Sequence, residues 1–168
     1  TLGLTMVDKR NDSAYVTSIS GDYVLNLGET WKLTGQLVAS VPGDFGSHSA
    51  WFVRFAKETN FYHMHLRYTE MGEHFQENVN QAGYVVDDDR REVDSDLSYR
   101  WWIQNRVFNY IEVETRNNVF WARTNGVLRS WNINESVEFY FQNRISLSYR
   151  YNNEYKLFEK DYYNHRHT

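Results

Sequence analysis

The stretch Val137-Glu138-Phe139-Tyr140-Phe141-Gln142-Asn143-Arg144-Ile145-Ser146-Leu147-Ser148-Tyr149-Arg150-Tyr151-Asn152 decides the fold. Its apolar members, Val137, Phe139, Phe141, Ile145, Leu147, Tyr149 and Tyr151, fall on odd positions. Opposite them stand Glu138, Gln142, Arg144, Ser146, Ser148, Arg150 and Asn152. A strand sends successive side chains to opposite faces, whereas a helix gathers positions three and four apart. The pattern therefore predicts one long strand with an apolar and a polar face, as in an antiparallel sheet solvated on one side.

The same period recurs along the chain. Trp31, Leu33, Gly35, Leu37 and Ala39 alternate with Lys32, Thr34, Gln36, Val38 and Ser40. Tyr62, Met64, Leu66 and Tyr68 alternate with His63, His65, Arg67 and Thr69. Val93, Leu97 and Tyr99 oppose Glu92, Asp94, Asp96 and Arg100, and Ile111 and Val113 oppose Glu112, Glu114 and Arg116. About nine strands are expected, with residues 119–133 the least regular.

Composition narrows the partners. The 168 residues include 13 Tyr, 10 Phe and 6 Trp, more rings than a small core can bury. Without cysteine, neither disulfides nor thiolate metal sites are available. A net charge of −4 argues against nucleic acid, which requires a basic surface. No apolar run approaches the roughly 20 residues of a spanning helix. The mean hydropathy of −0.71 is that of a soluble chain. Lumen-facing polar residues lower this average in a barrel as well. The chain opens at Thr1 with no signal-peptide pattern, so an exported protein would be represented here by a mature or truncated piece.

Connections add a second signal. Short ones at 27–29, 57–60 and 102–106 fall between longer ones at 40–48 and from 70 to about 90. Outer-membrane barrels alternate short turns with long outer loops in this way. Asn117-Asn118 reads as a tight turn that breaks the rule. Trp31, Trp51, Tyr62, Tyr68, Tyr99, Trp101, Trp102, Tyr149 and Tyr151 fall at or near expected strand ends, where amphipathic rings suit a bilayer interface. A soluble antiparallel β-sandwich also alternates, but its turn signals recur about every 8–12 residues.

Several short motifs resemble the DUF5916 family. They are Tyr68-Thr69-Glu70-Met71-Gly72-Glu73-His74-Phe75, then Gly83-Tyr84-Val85 and Asp88-Asp89-Arg90. Leu2-Gly3-Leu4 with Lys9-Arg10, Gly35-Gln36-Leu37-Val38-Ala39-Ser40 and Tyr151-Asn152-Asn153-Glu154-Tyr155-Lys156-Leu157-Phe158 are similar as well. The resemblance implies a C-terminal outer-membrane barrel that follows a carbohydrate-binding-like sandwich module. It implies no established reaction. An aspartate run stands here where the family pattern has an arginine.

Three groups of residues could carry chemistry. His63 and His65 share a strand face and could ligate a metal, with Glu70, His74 or His48 to complete the set. Against this, imidazoles on a polar face simply meet water. Glu112 and Glu114, with Phe108 and Tyr110 on the same face, could form a glycosidase-like carboxylate pair or a ligand site. Arg116 beyond them favours an ion-pair ladder. Asp87-Asp88-Asp89 offers oxygen ligands for calcium but lacks the spaced calcium-loop pattern. The His165-Arg166-His167 tail reads as a frayed end.

The expectation is one all-β domain over residues 1–168, a long antiparallel meander forming part of a transmembrane-type β-barrel. Nine strands is an odd number, so the piece would belong to a larger barrel. Glu112, Glu114, Arg116, Asp94, Asp96, Arg100, Arg144 and Arg150 would line its lumen. Outer-membrane lipid is the expected partner, and passage, anchoring or envelope assembly the expected role. No catalytic residue, cofactor or metal is expected. The alternative is a soluble or periplasmic glycan-binding sandwich with exposed Trp and Tyr, or a glycoside hydrolase of that fold.

Overall fold

A computed structural model describes residues 1–10, 15–80, 85, 87–157 and 161–167. Ten antiparallel strands follow one another in a single sheet. They are β1 (Leu2–Arg10), β2 (Tyr15–Leu27), β3 (Trp31–Val41), β4 (Ser49–Glu58) and β5 (Tyr62–Met71). Then come β6 (Arg90–Trp102), β7 (Phe108–Ala122), β8 (Leu128–Phe141), β9 (Ser146–Leu157) and β10 (Asp161–His167). Each pairs with its sequence neighbour, so the sheet is a meander with β1 and β10 at its edges. A short helix, α1 (Phe75–Val79), lies between β5 and β6. Among the described residues no helix is long and apolar enough to cross a membrane.

The all-β meander is as expected, but ten strands stand where nine were expected, which removes the odd count, and the strand boundaries differ in three places. Residues 137–152 are not one strand: Phe139 pairs with Leu147 and Tyr140 with Ser146 across a tight turn. Paired numbers there sum to an even value, so odd residues face odd residues and the alternation runs through the turn unbroken. Arg144 sits in that turn at φ 67, which removes it from the polar face. Asn117 and Asn118 are no turn either. They lie inside β7, opposite Ser95 and Asp94 of β6, and the Asn118 amide donates to Glu92. The tail is a paired strand rather than a frayed end, with His165 stacked on Tyr151 and His167 hydrogen-bonded to Tyr149. Gly83, Tyr84 and Phe158 lie outside the described residues.

Register sorts the side chains onto two faces. One carries Leu4, Ile19, Leu33, Phe55, Leu66, Leu97, Val113, Val137 and Leu147, strand after strand. The other carries His65, Asp94, Asp96, Arg116, Asn132 and Asn152. Their exposure is the reverse of a globular sheet. Leu2 and Leu4 are 82% and 80% exposed and Leu66 is 53%. Glu92, Ser98, Ser40 and the small Ala56 and Ala122, all on the polar face, are buried. Part of the polar face is thus shielded, while several large apolar side chains of the other face stand open.

Alternate connections of a meander fall at the same end. The longer ones, 42–48 and 72–89, share an end with the 123–127 turn; the shorter 28–30, 59–61, 103–107 and 142–145 share the other. At the long-connection end α1 packs against β2 and β3. Val16, Ser40, Ala50 and Phe75 are buried at this end, and Asn78 donates to the Pro42 carbonyl at 2.6 Å. The small apolar core of the molecule lies here.

Candidate functional site

The polar face is organised as a chain of cross-strand pairs. β5 and β6 are antiparallel with His65 opposite Asp96 and Arg67 opposite Asp94. Asp94 accepts from His65 Nε2 at 2.7 Å and from Arg67 Nη2 at 2.8 Å. One step across, Arg116 of β7 reaches Asp96 at 3.1 Å and Glu114 at 2.5 Å. Towards the short-turn end Arg100 donates to Glu112 at 2.9 Å. Opposite charges facing one another on paired strands stabilise by roughly 0.2–1 kcal/mol each. A hollow of about 140 Å³ opens beside His65, Asp94, Asp96 and Arg116.

The carboxylates Glu112 and Glu114 do share this face, as the spacing requires, and each is held by an arginine. Phe108 does not join them. A register shift between Phe108 and Tyr110 turns Phe108 to the apolar side, where it packs on Phe139 and Phe141. Tyr110 stays on the polar face, stacked on Tyr140 at 4.5 Å between ring centres. Trp102 lies 5.1 Å from Tyr110, and the Arg100 guanidinium covers Tyr110 at 4.7 Å. These rings form an aromatic shelf beside the Arg100–Glu112 pair. Trp102 therefore points into the polar side, and Tyr151, the sixth residue of β9, lies mid-strand; neither is an apolar-face end ring.

His63 and His65 are neighbours, with ring centres 5.7 Å apart. The residues expected to complete a ligand set are elsewhere. His48 and His74 face one another at the long-connection end, and Glu70 is held there by Arg91 and Arg123. Asp96 takes that place instead: one ligating atom from each of His63, His65 and Asp96 lies within 4.8 Å of the others. Only the β5–β6 register brings Asp96 there, and no spacing rule in the sequence contains it.

The aspartate run is engaged by protein donors. Asp87 and Asp89 receive Arg129, Asp89 also receives Thr124, and Asp88 accepts from the Gln76 backbone N–H. Arg123 bridges Glu70 at 3.0 Å and Glu73 at 2.9 Å. The 72–89 connection is tied in this way to the β7–β8 turn. In the 42–48 connection the backbone N–H and hydroxyl of Ser47 donate to Asp44 and hold its carboxyl down at about 2. The hydrogen bond to Glu77 raises the His74 imidazole.

Among known proteins, no family model, no curated protein and no solved structure matches the chain.

Proposed function

We propose that the chain is part of an outer-membrane β-barrel, with the apolar face towards lipid and the polar face towards a lumen. The observation that carries this reading is the inverted burial: leucines open on one face, carboxylates such as Glu92 and Asp96 shielded on the other. In water such a face would be covered by a second layer. In a bilayer it needs no cover, and a barrel interior is polar. Rings gather towards both ends of the apolar face, with Trp51, Trp121, Trp131 and Tyr155 at the long-connection end and Trp31, Tyr62, Tyr99 and Trp101 at the other. Leu33, Phe55 and Leu66 lie between them. Interfacial rings flanking an apolar band fit a membrane span. The placement of both long connections at one end and the resemblance to DUF5916 point the same way. The role is passage, anchoring or envelope assembly, without a catalytic step.

Paired charge insertions test the proposal. Leu147 is the second residue of β9, close to a turn, so mid-strand Leu66 is the more sensitive position. Leu66→Arg is expected to block insertion into lipid vesicles, with a penalty of roughly 2–4 kcal/mol near mid-bilayer. Gln36→Arg, mid-strand on the polar face and opposite Asp22, is expected to insert as the parent does. Equal tolerance of both changes would sink the proposal.

The second reading, a soluble glycan-binding module, is favoured by the Trp102–Tyr110–Tyr140 shelf. Aromatic faces beside a charged pair suit stacking on a sugar ring. Partition of the intact protein into the aqueous phase without detergent would select this reading over the barrel.

A further inference from the structure

We propose that His63, His65 and Asp96 form a binding site for a divalent first-row metal ion of the zinc class. The site stands on the polar face whatever covers the apolar one, so it does not rest on the membrane proposal.

Hydrogen bonding has already chosen the ligating atoms. A carboxylate only accepts, so the 2.7 Å contact from Asp94 to His65 Nε2 places the proton on that nitrogen. Nδ1 then keeps its lone pair, and it is buried without a partner among the described residues. The same reasoning applies to His63, whose Nδ1 faces Glu58 at 3.0 Å, which leaves Nε2 with the lone pair. Asp96 divides its two oxygens. Arg116 takes Oδ2 at 3.1 Å, while Oδ1 is buried with no partner. Buried acceptor atoms left without a donor are costly, and a cation bound between these neighbouring residues would satisfy both.

The outer partners match those of metal sites. Ligating histidines commonly pass their second N–H to a carboxylate, which fixes the ring and raises its basicity. Asp94 and Glu58 stand in that position here. Two imidazoles and one carboxylate suit zinc and its neighbours better than calcium, which prefers oxygen alone. Bond lengths of about 2.0–2.2 Å bring tetrahedral ligand atoms to roughly 3.3 Å from one another. One ligating atom from each residue lies within 4.8 Å of the others, and a bound ion would draw them closer. Three protein ligands leave a coordination position open, and the hollow beside His65 and Asp96 gives it access.

The test titrates the folded, tag-free full chain with Zn²⁺ against a chelating indicator, and with Co²⁺ by visible absorption. One ion per chain is expected, with cobalt bands of low coordination number. His63→Gln and Asp96→Asn should each weaken binding at least tenfold. Asp94→Asn, a positioning change, should weaken it by roughly 10–100-fold. Asp96→Asn also breaks the Arg116 pair, so His63→Gln, at a partly exposed residue, guards against loss of fold. His165 and His167 on the opposite face supply a rival pair. A His165→Gln/His167→Gln double variant should bind as the parent does. No binding, binding unchanged by His63→Gln, or binding lost only in the double variant would overturn the proposal.

Discussion

At the scale of single residues, the long-connection end holds two groups that titrate in opposite senses. The Ser47 amide and hydroxyl hold the Asp44 carboxyl at about 2, below its ordinary value of 3.8. A depressed carboxyl contributes stability above 3.8, and this is lost as the pH falls through about 2. His74 is the reverse. Glu77 raises its pKa above 6.5, so its contribution is present below 6.5 and fades as the pH rises through the raised value. NMR titration of the side chains checks both signs. The Asp44 midpoint is expected near 2, and Ser47→Ala should move it upward by removing the hydroxyl donor while the backbone donor remains. An Asp44 midpoint at its ordinary value would show that this turn does not form in solution.

At the scale of elements, Arg123 is the joint between the 72–89 connection and the β7–β8 turn. Arg123→Ala strands the partly shielded Glu73 and leaves Glu70 to Arg91 and Tyr68, and should destabilise by roughly 1–3 kcal/mol. Limited proteolysis within residues 72–89 is expected to speed up. An unchanged cleavage rate would show that α1 and the Arg129 and Thr124 contacts to the aspartates hold the connection without Arg123. The strands themselves were legible because alternation survives wherever a face is continuous. What hid the β8–β9 turn is the same continuity: odd residues pair with odd residues across it. Asn117-Asn118 has turn chemistry, yet pairing on both sides and the Glu92 contact keep it extended. The candidate metal site was half legible. His63 and His65 share a face by their spacing alone, but Asp96 meets them through a register that no local pattern encodes.

At the scale of the molecule, the apolar face is not uniform. From β6 to β10 it carries Ser95, Asn117 and Asn153 in one row, and Thr115 and Glu135 in the next. Glu135 is exposed, lies midway along β8, and none of the described salt bridges includes it. Its effect depends on what covers the face. In water a carboxylate there is well solvated and opposes self-association. In lipid it is a liability, although aspartate and glutamate are less costly than arginine or lysine at the same depth. Glu135→Leu therefore separates the two environments with a sign rather than a size. If the face meets lipid, the variant should insert into vesicles more readily and resist higher urea once inserted. If the face meets water, the added leucine extends an already open apolar surface and the variant should aggregate at lower protein concentration. Urea-dependent folding in vesicles, run beside light scattering in buffer, reads both. A gain in the first measurement supports the barrel; aggregation with no such gain would turn the molecule back into a soluble sheet whose apolar face needs a partner.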